Sequence, residues 1–173
     1  MFNVAFSPDG KWIALGMQNG QVSIWDFVTG HRRYLFNQHS NAIKALCFSH
    51  DSQDGLLLAS GGDDHRVVLY NVRRGEAVPL EGGHRDGVSG LAFAPDDKTL
   101  ASTSWDGNIL LWSVANQQVA LTLAHDGGPI SSVTFSPDGN LMATSGNDGT
   151  ARLWPAAKLD DVTALKKSKE NRK

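Results

Sequence analysis

This 173-residue sequence predicts an all-β fold made of four copies of one antiparallel unit, and three observations carry that expectation. Trp25, Tyr70, Trp112 and Trp154 stand 45, 42 and 42 residues apart. Phe6, Phe48, Phe93 and Phe135 step along beside them at intervals of 42, 45 and 42. Asn19-Gly20, Asp106-Gly107 and Asp148-Gly149 each begin six residues before one of the Trp positions, and such pairs are the strongest short signal for a tight hairpin. A fixed period of this length marks a repeat architecture whose units cannot bury their apolar faces alone. Function is therefore sought on a repeated surface and not in one pocket.

The elements follow in order within each copy. A first strand is read at Phe2–Phe6, Ile43–Phe48, Val88–Phe93 and Ile130–Phe135, where apolar residues alternate with small or polar ones. Ser7-Pro8-Asp9-Gly10, Ala94-Pro95-Asp96-Asp97 and Ser136-Pro137-Asp138-Gly139 then supply turn chemistry. In the second copy the turn lengthens to Ser49-His50-Asp51-Ser52-Gln53-Asp54-Gly55, which accounts for the one 45-residue step in each series. A second strand ends in Ile13-Ala14-Leu15, Leu58-Ala59-Ser60, Leu100-Ala101-Ser102 and Met142-Ala143-Thr144. After the hairpin, where the second copy has Asp64-His65 in place of Asn-Gly or Asp-Gly, a third strand leads into each Trp or into Tyr70. A weaker outer strand is read at Tyr34–Phe36, Val78–Leu80 and Val119–Leu123, and Pro79 suits such an edge.

Four antiparallel strands in about 42 residues make the blade of a β-propeller. The segments Val-x-x-Val-x-Phe-Ser-Pro-Asp-Gly, Leu-Ala-Ser-x-Ser-x-Asp-Gly and Leu-Trp, with a His at Gly82-Gly83-His84, resemble the WD-repeat (Trp-Asp repeat) family over roughly residues 1 to 155. The Asp that follows Trp in the family's name survives only as Asp26, with Asn71, Ser113 and Pro155 elsewhere. The blades are read as 1–37, 38–82, 83–124 and 125–157, followed by a basic tail at 158–173.

The resemblance implies a structural tetrad in which Trp bonds Ser or Thr, the hydroxyl bonds His, and His bonds the turn Asp. It assigns His84, Ser102, Asp106 and Trp112 to one copy, and His125, Thr144, Asp148 and Trp154 to the next. His39, Ser60 and Asp64 keep the pattern in the second copy with Tyr70 in place of the indole. The first copy has Leu15 and Asn19 at two of the positions and is expected to be the least stable. Ser, His and Asp together suggest nucleophilic catalysis, but the set recurs 42 residues apart and lacks a Gly-x-Ser-x-Gly elbow. The set therefore reads as structural, and the chain as no enzyme.

Other signals are bland. His84-Arg85-Asp86 imitates a kinase catalytic loop, yet Leu91 stands where its Asn belongs. Gly61-Gly62-Asp63-Asp64 lacks the Lys-Ser/Thr and helix of a phosphate cradle. His31, His50 and His65 read as solvated loop residues, and neither the histidines nor Asp51, Asp54, Asp63 and Asp64 form a metal set, so neither cofactor nor metal is expected. The single Cys47 forms no internal disulfide and suits a reducing, cytoplasmic setting. Net charge is −2, with six Lys/Arg against three Asp/Glu in 158–173 and a mildly acidic body, which disfavours nucleic acid. No apolar stretch of about 18 residues suggests a membrane span.

In the family resembled, propeller faces dock other proteins. On this chain that implies the turn residues Gln18, Asp63, Trp105 and Asn147, with Arg85 and Asp86 among the nearby connections and Trp105 as the leading anchor. Such rings usually take about seven blades, within a range of four to eight. Four blades, the first opening inside its innermost strand, imply an open or incomplete ring, a fragment or C-terminal part of a longer protein, and possible self-association. The tail reads as a short helix over 156–167 or an outer strand at 162–165, then disorder. The expected function is a non-catalytic protein-interaction scaffold; the alternative is the regulatory part of a larger signalling enzyme.

Overall fold

Ser7 shows why the chain reverses where it does: its carbonyl accepts from Gly10 N–H at 2.9 Å, and its hydroxyl donates to Asp9 at 2.6 Å while accepting from Trp12 N–H at 2.9 Å. Ser136, Asp138 and Leu141 repeat this arrangement, and the Ser136 hydroxyl with the Asn140 N–H holds the Asp138 carboxyl down at about 2. In the third copy Asp97 takes the left-handed position, φ 55°, that Gly10 and Gly139 occupy at 69° and 70°. Its carboxylate accepts from His50 N–H at 2.9 Å and meets the His50 ring at the same distance. His50 is exposed in its loop, as expected of a solvated residue, and is also tied to the neighbouring copy.

The computed structural model describes residues 3–50 and 55–156. The first sheet contains β1 (Asn3–Phe6), β2 (Trp12–Gly16), β3 (Val22–Asp26) and β4 (Arg32–Phe36). The second contains β5 (Ile43–Phe48), β6 (Leu57–Gly62), β7 (Val67–Asn71) and β8 (Glu76–Pro79). The third contains β9 (Val88–Phe93), β10 (Thr99–Ser104), β11 (Asn108–Ser113) and β12 (Gln118–Ala124). The fourth has β13 (Ile130–Phe135), β14 (Leu141–Gly146) and β15 (Ala151–Pro155), three strands among the described residues. Each sheet is antiparallel with its strands in chain order. The readings of the tail as helix or outer strand lie outside the described residues, among which there is no helix.

The inner strands meet in sequence, β1 against β5, β5 against β9 and β9 against β13, so the sheets fan out as propeller blades in an open arc. The apolar cores lie between sheets. One joins Ala14, Val22 and Ile24 to Ile43, Phe48, Leu58 and Tyr70. The next joins Ala59, Val67 and Leu69 to Val88, Phe93, Leu100 and Trp112, and the third joins Ala101 and Ile109 to Ile130, Val133 and Met142. Each fully buried Leu, Ile or Phe contributes about 1.5–3 kcal/mol, so cohesion depends on neighbours. Gly16 makes one joint possible: a Cβ there would stand 2.5 Å from Ile43 Cγ2. Gly61 receives Val88 in the same way in the second joint.

Candidate functional site

The tetrads come first because they could be mistaken for chemistry. In the third blade the Trp112 indole N–H donates to Ser102 Oγ at 2.8 Å, and His84 Nε2 lies 2.7 Å from that oxygen. His84 Nδ1 meets Asp106 Oδ2 at 3.2 Å, and Arg85 N–H donates to the same oxygen at 2.7 Å. A consistent proton arrangement has His84 donating from Nδ1 and accepting the serine proton at Nε2. Ser102 and Trp112 are 0% exposed, so no substrate reaches the hydroxyl. Burial works against a charged His84 and, although Asp106 opposes it, keeps the imidazole below its usual range. At Asp106 burial opposes ionisation, but the N–H groups of Arg85 and Asn108 and the His84 ring outweigh it and lower the carboxyl.

The second blade builds the same set with a phenol. Ser60 Oγ lies 2.9 Å from Tyr70 Oη and 2.7 Å from His39 Nε2, and His39 Nδ1 is 2.8 Å from Asp64. In the first blade, where Leu15 lacks a hydroxyl, Trp25 Nε1 donates instead to Ser23 Oγ at 2.9 Å. Ser23 replaces the Val68, Leu110 or Arg152 of the other copies, a substitution visible in the sequence but missed there.

The fourth blade departs from the implied pattern. Trp154 Nε1 still donates to Thr144 Oγ1 at 2.9 Å, but neither ring nitrogen of the buried His125 has a hydrogen-bond partner. Asp148 accepts from the Thr150 N–H and hydroxyl at 3.0 and 2.8 Å, and Arg152 reaches it at 3.6 Å. Arg152 stands where Val68 and Leu110 stand in the intact blades, so this carboxylate has another cation. His125, Thr144, Asp148 and Trp154 are neighbours of which only Thr144 and Trp154 are bonded.

The docking candidates sit where the second and third strands of each blade reverse. Trp105, 43% exposed, is held by its own N–H donating to Gly87 O at 3.1 Å. A Cβ on Gly87 would lie 3.3 Å from the Trp105 ring and 3.1 Å from Asp63 Oδ1, so the missing side chain lets both close over the strand. Lys44 Nζ stands 5.8 Å from the ring centroid and 3.2 Å from Asp63 Oδ2. Trp105, Lys44 and Asp63 thus form one cluster across two blades, while Asp63 Oδ1 is buried without a hydrogen-bond partner. Lys44 was missed from sequence; the signal was a lysine in β5 where the aligned copies carry Ser89 and Ser131.

Lys44 also borders a recess of about 370 Å³ lined by Asn3, Gln18, Asn41, Ala42 and Ile43. Arg85 and Asp86 are exposed beside the cluster, and Ser104 Oγ donates to Asp86 O at 3.0 Å. Asn147 is exposed on the fourth blade and accepts from Ser131 Oγ at 2.5 Å; it does not join the cluster. A second recess, about 520 Å³, is lined largely by Phe48, Phe93, Phe135, Pro95, Pro137 and Cys47, whose thiol burial pushes up to about 12. Among the described residues no group of three or more His, Cys, Asp or Glu is placed to hold a metal ion.

Comparison with known proteins agrees with this architecture. The family model described as WD domain, G-beta repeat, matches residues 78–113 and 117–155, and that described as anaphase-promoting complex subunit 4 WD40 domain matches 2–51. The chain is similar to a periodic tryptophan protein 2 homolog of Dictyostelium discoideum, 25% identical over 157 residues, covering 66% of this chain and 17% of that protein. It is also similar to protein FIZZY-RELATED 3 of Arabidopsis thaliana, 29% identical over 122 residues, covering 70% of the chain and 24% of the relative. A WD repeat-containing protein of Synechocystis is 36% identical over 119 residues, covering 68% and 33%. The chain therefore spans a third or less of the length of these relatives.

Proposed function

From a chain built of WD repeats, we propose a non-catalytic scaffold that docks partner proteins on the face carrying Trp105, Lys44 and Asp63. The supporting observation is Trp105 itself: a large aromatic, exposed on a tight turn, flanked by a fixed ion pair and filling no core. Aromatic anchors of this kind dominate interface energetics, and a neighbouring charged pair restricts which partners fit. Gln18, Asn41, Arg85 and Asp86 supply a polar rim. The relatives' names describe tryptophan-periodic, FIZZY-related and WD-repeat proteins, none of them an enzyme's name. A reducing intracellular setting is part of the proposal, supported by the lone thiol of Cys47. Trp105→Ala should leave thermal unfolding unchanged and weaken the principal captured partner by about 2 kcal/mol or more, roughly 30-fold. Equal affinity of the two forms for that partner would remove Trp105 from the interface.

A further inference from the structure

Among the described residues, where Asp and Glu outnumber Lys and Arg, four of the seven arginines gather on one seam. It lies between the first and second sheets, at the opposite end of the strands from the Trp105 turn. The pairing of β4 with β3 slips between Ile24 and Trp25, so that Tyr34 faces Ile24, Arg32 faces Trp25, and Arg33 is extra. A bulge of this kind re-aims side chains, and the consecutive Arg32 and Arg33 are both exposed. Arg33 Cζ stands 5.5 Å from the Tyr34 ring centroid, and Arg32 Cζ 5.9 Å from that of Trp25. The Tyr34 ring also reaches the second sheet, where its hydroxyl donates to Arg73 O at 3.3 Å. A Cβ on Gly75, at φ 69°, would collide with that ring. The missing side chain thus lets Tyr34 lie on the β7–β8 turn, which brings Arg33 of one blade beside Arg73 and Arg74 of the next.

The fold does not ask for these cations. The third sheet has the same slip and carries Val119 and Ala120 in the places of Arg32 and Arg33, while the second carries Ala77 opposite Tyr70. The β7–β8 turn is held by Asn71, whose Oδ1 accepts from the N–H groups of Arg73 and Arg74 at 3.1 and 2.9 Å. Asp26 holds Val28 and Thr29 in the same way one blade earlier, so the turn forms whatever side chains its middle residues carry. Charged residues on an outer strand discourage edge-to-edge pairing, but Arg73 and Arg74 stand on a turn, where there is no edge to protect. Arg33 meets a ring, and Arg74 comes only to 4.0 Å from Glu76, with both of that pair well exposed.

We propose that this seam docks an extended acidic segment of a partner protein, its carboxylates taken by Arg33 and Arg74 with Arg32, Arg73 and His31 alongside. The guanidinium fork matches a carboxylate through two parallel hydrogen bonds. β4 is the outermost strand of its sheet, a border along which an extended chain can lie. A nucleic acid suits the place less well, because a long polyanion running past the patch meets a body of net negative charge.

Fluorescence anisotropy with the full chain tests this, using a labelled peptide of alternating Glu and Ser at about 0.1 M salt, where charges more than about 10 Å away are largely screened. The peptide should bind, and Arg33→Ser combined with Arg74→Ser should weaken it about tenfold or more with unchanged circular dichroism. Arg66→Ser combined with Lys98→Ser removes two exposed charges elsewhere and should leave the affinity within about twofold. Trp105→Ala should leave it unchanged too, so this proposal and the docking reading fail separately. Equal weakening by the two double variants would refute the seam and reduce the attraction to net charge. Absence of peptide binding would overturn the proposal, as would tighter binding of a single-stranded DNA of equal charge.

Discussion

Removing one hydroxyl from the third blade should be far more damaging than removing its counterpart from the fourth. Ser102 Oγ serves Trp112 Nε1 at 2.8 Å and His84 Nε2 at 2.7 Å, and all three residues are buried. Ser102→Ala leaves two buried polar groups without partners, and at about 1–3 kcal/mol each the loss is roughly 2–6 kcal/mol. Thr144→Val keeps the shape and deprives only Trp154 Nε1, since His125 makes no bond there. Trp154 is half-buried, and its indole can turn to water, so about 1 kcal/mol is expected. Urea unfolding followed by far-ultraviolet circular dichroism and tryptophan fluorescence measures both. With a urea slope of about 2 kcal/mol/M, the midpoint should fall by more than about 1 M for Ser102→Ala and by about 0.5 M for Thr144→Val. Equal shifts would show that the third-blade network adds nothing beyond its Trp bond. An unchanged midpoint for Ser102→Ala, with loss of some catalytic turnover, would refute the structural assignment altogether.

Two further outcomes follow from the same geometry. His84→Leu should be strongly destabilising, whereas His125→Leu should be close to neutral in thermal unfolding, because it exchanges an unbonded buried imidazole for an apolar group; a comparable loss at both sites would contradict the open fourth-blade network. Stability should also fall in two stages on acidification. His84 is held below the ordinary histidine value of about 6.5, so the unfolded chain takes up that proton first and stability declines as pH drops below about 6.5. Asp64 and Asp106, held below 3.8, add a second loss as pH falls from there through their folded values. Urea midpoints between pH 8 and 3 check both stages, and the upper stage should shrink in His84→Leu.

Much of this fold was legible because each copy spells it again. The Phe and Trp positions mark register, Asn-Gly and Asp-Gly mark hairpins, and the Ser-Pro-Asp-Gly corner bonds as its composition demands. The altered first blade was also legible, since Leu15 and Asn19 cannot take the places of Ser and Asp. The state of His125 was not: its letters match the intact copies, and its blade differs in that Arg152, two residues before Trp154, reaches back to Asp148. Lys44 escaped notice because its partners, Asp63 and Trp105, lie 19 and 61 positions away, the first brought beside it by strand pairing within the second blade and the second only when two blades stack. His50 gave no sign of Asp97 for a similar reason. Local pattern fixes strands and corners, while a contact between copies depends on side-chain reach that no period encodes.

Apolar layers between the sheets make the strength of each part a matter of position. Among the described sheets the two middle ones are packed on both sides and the first and fourth on one, so within this span, taken by itself, thermal opening begins at the extremities and travels inward. Lengthening such an array by one unit creates one new seam and moves the vulnerable boundary outward without changing the interior. The chemistry of any one module can therefore drift, as that of the first and fourth has, while the pair at the centre keeps the assembly in shape.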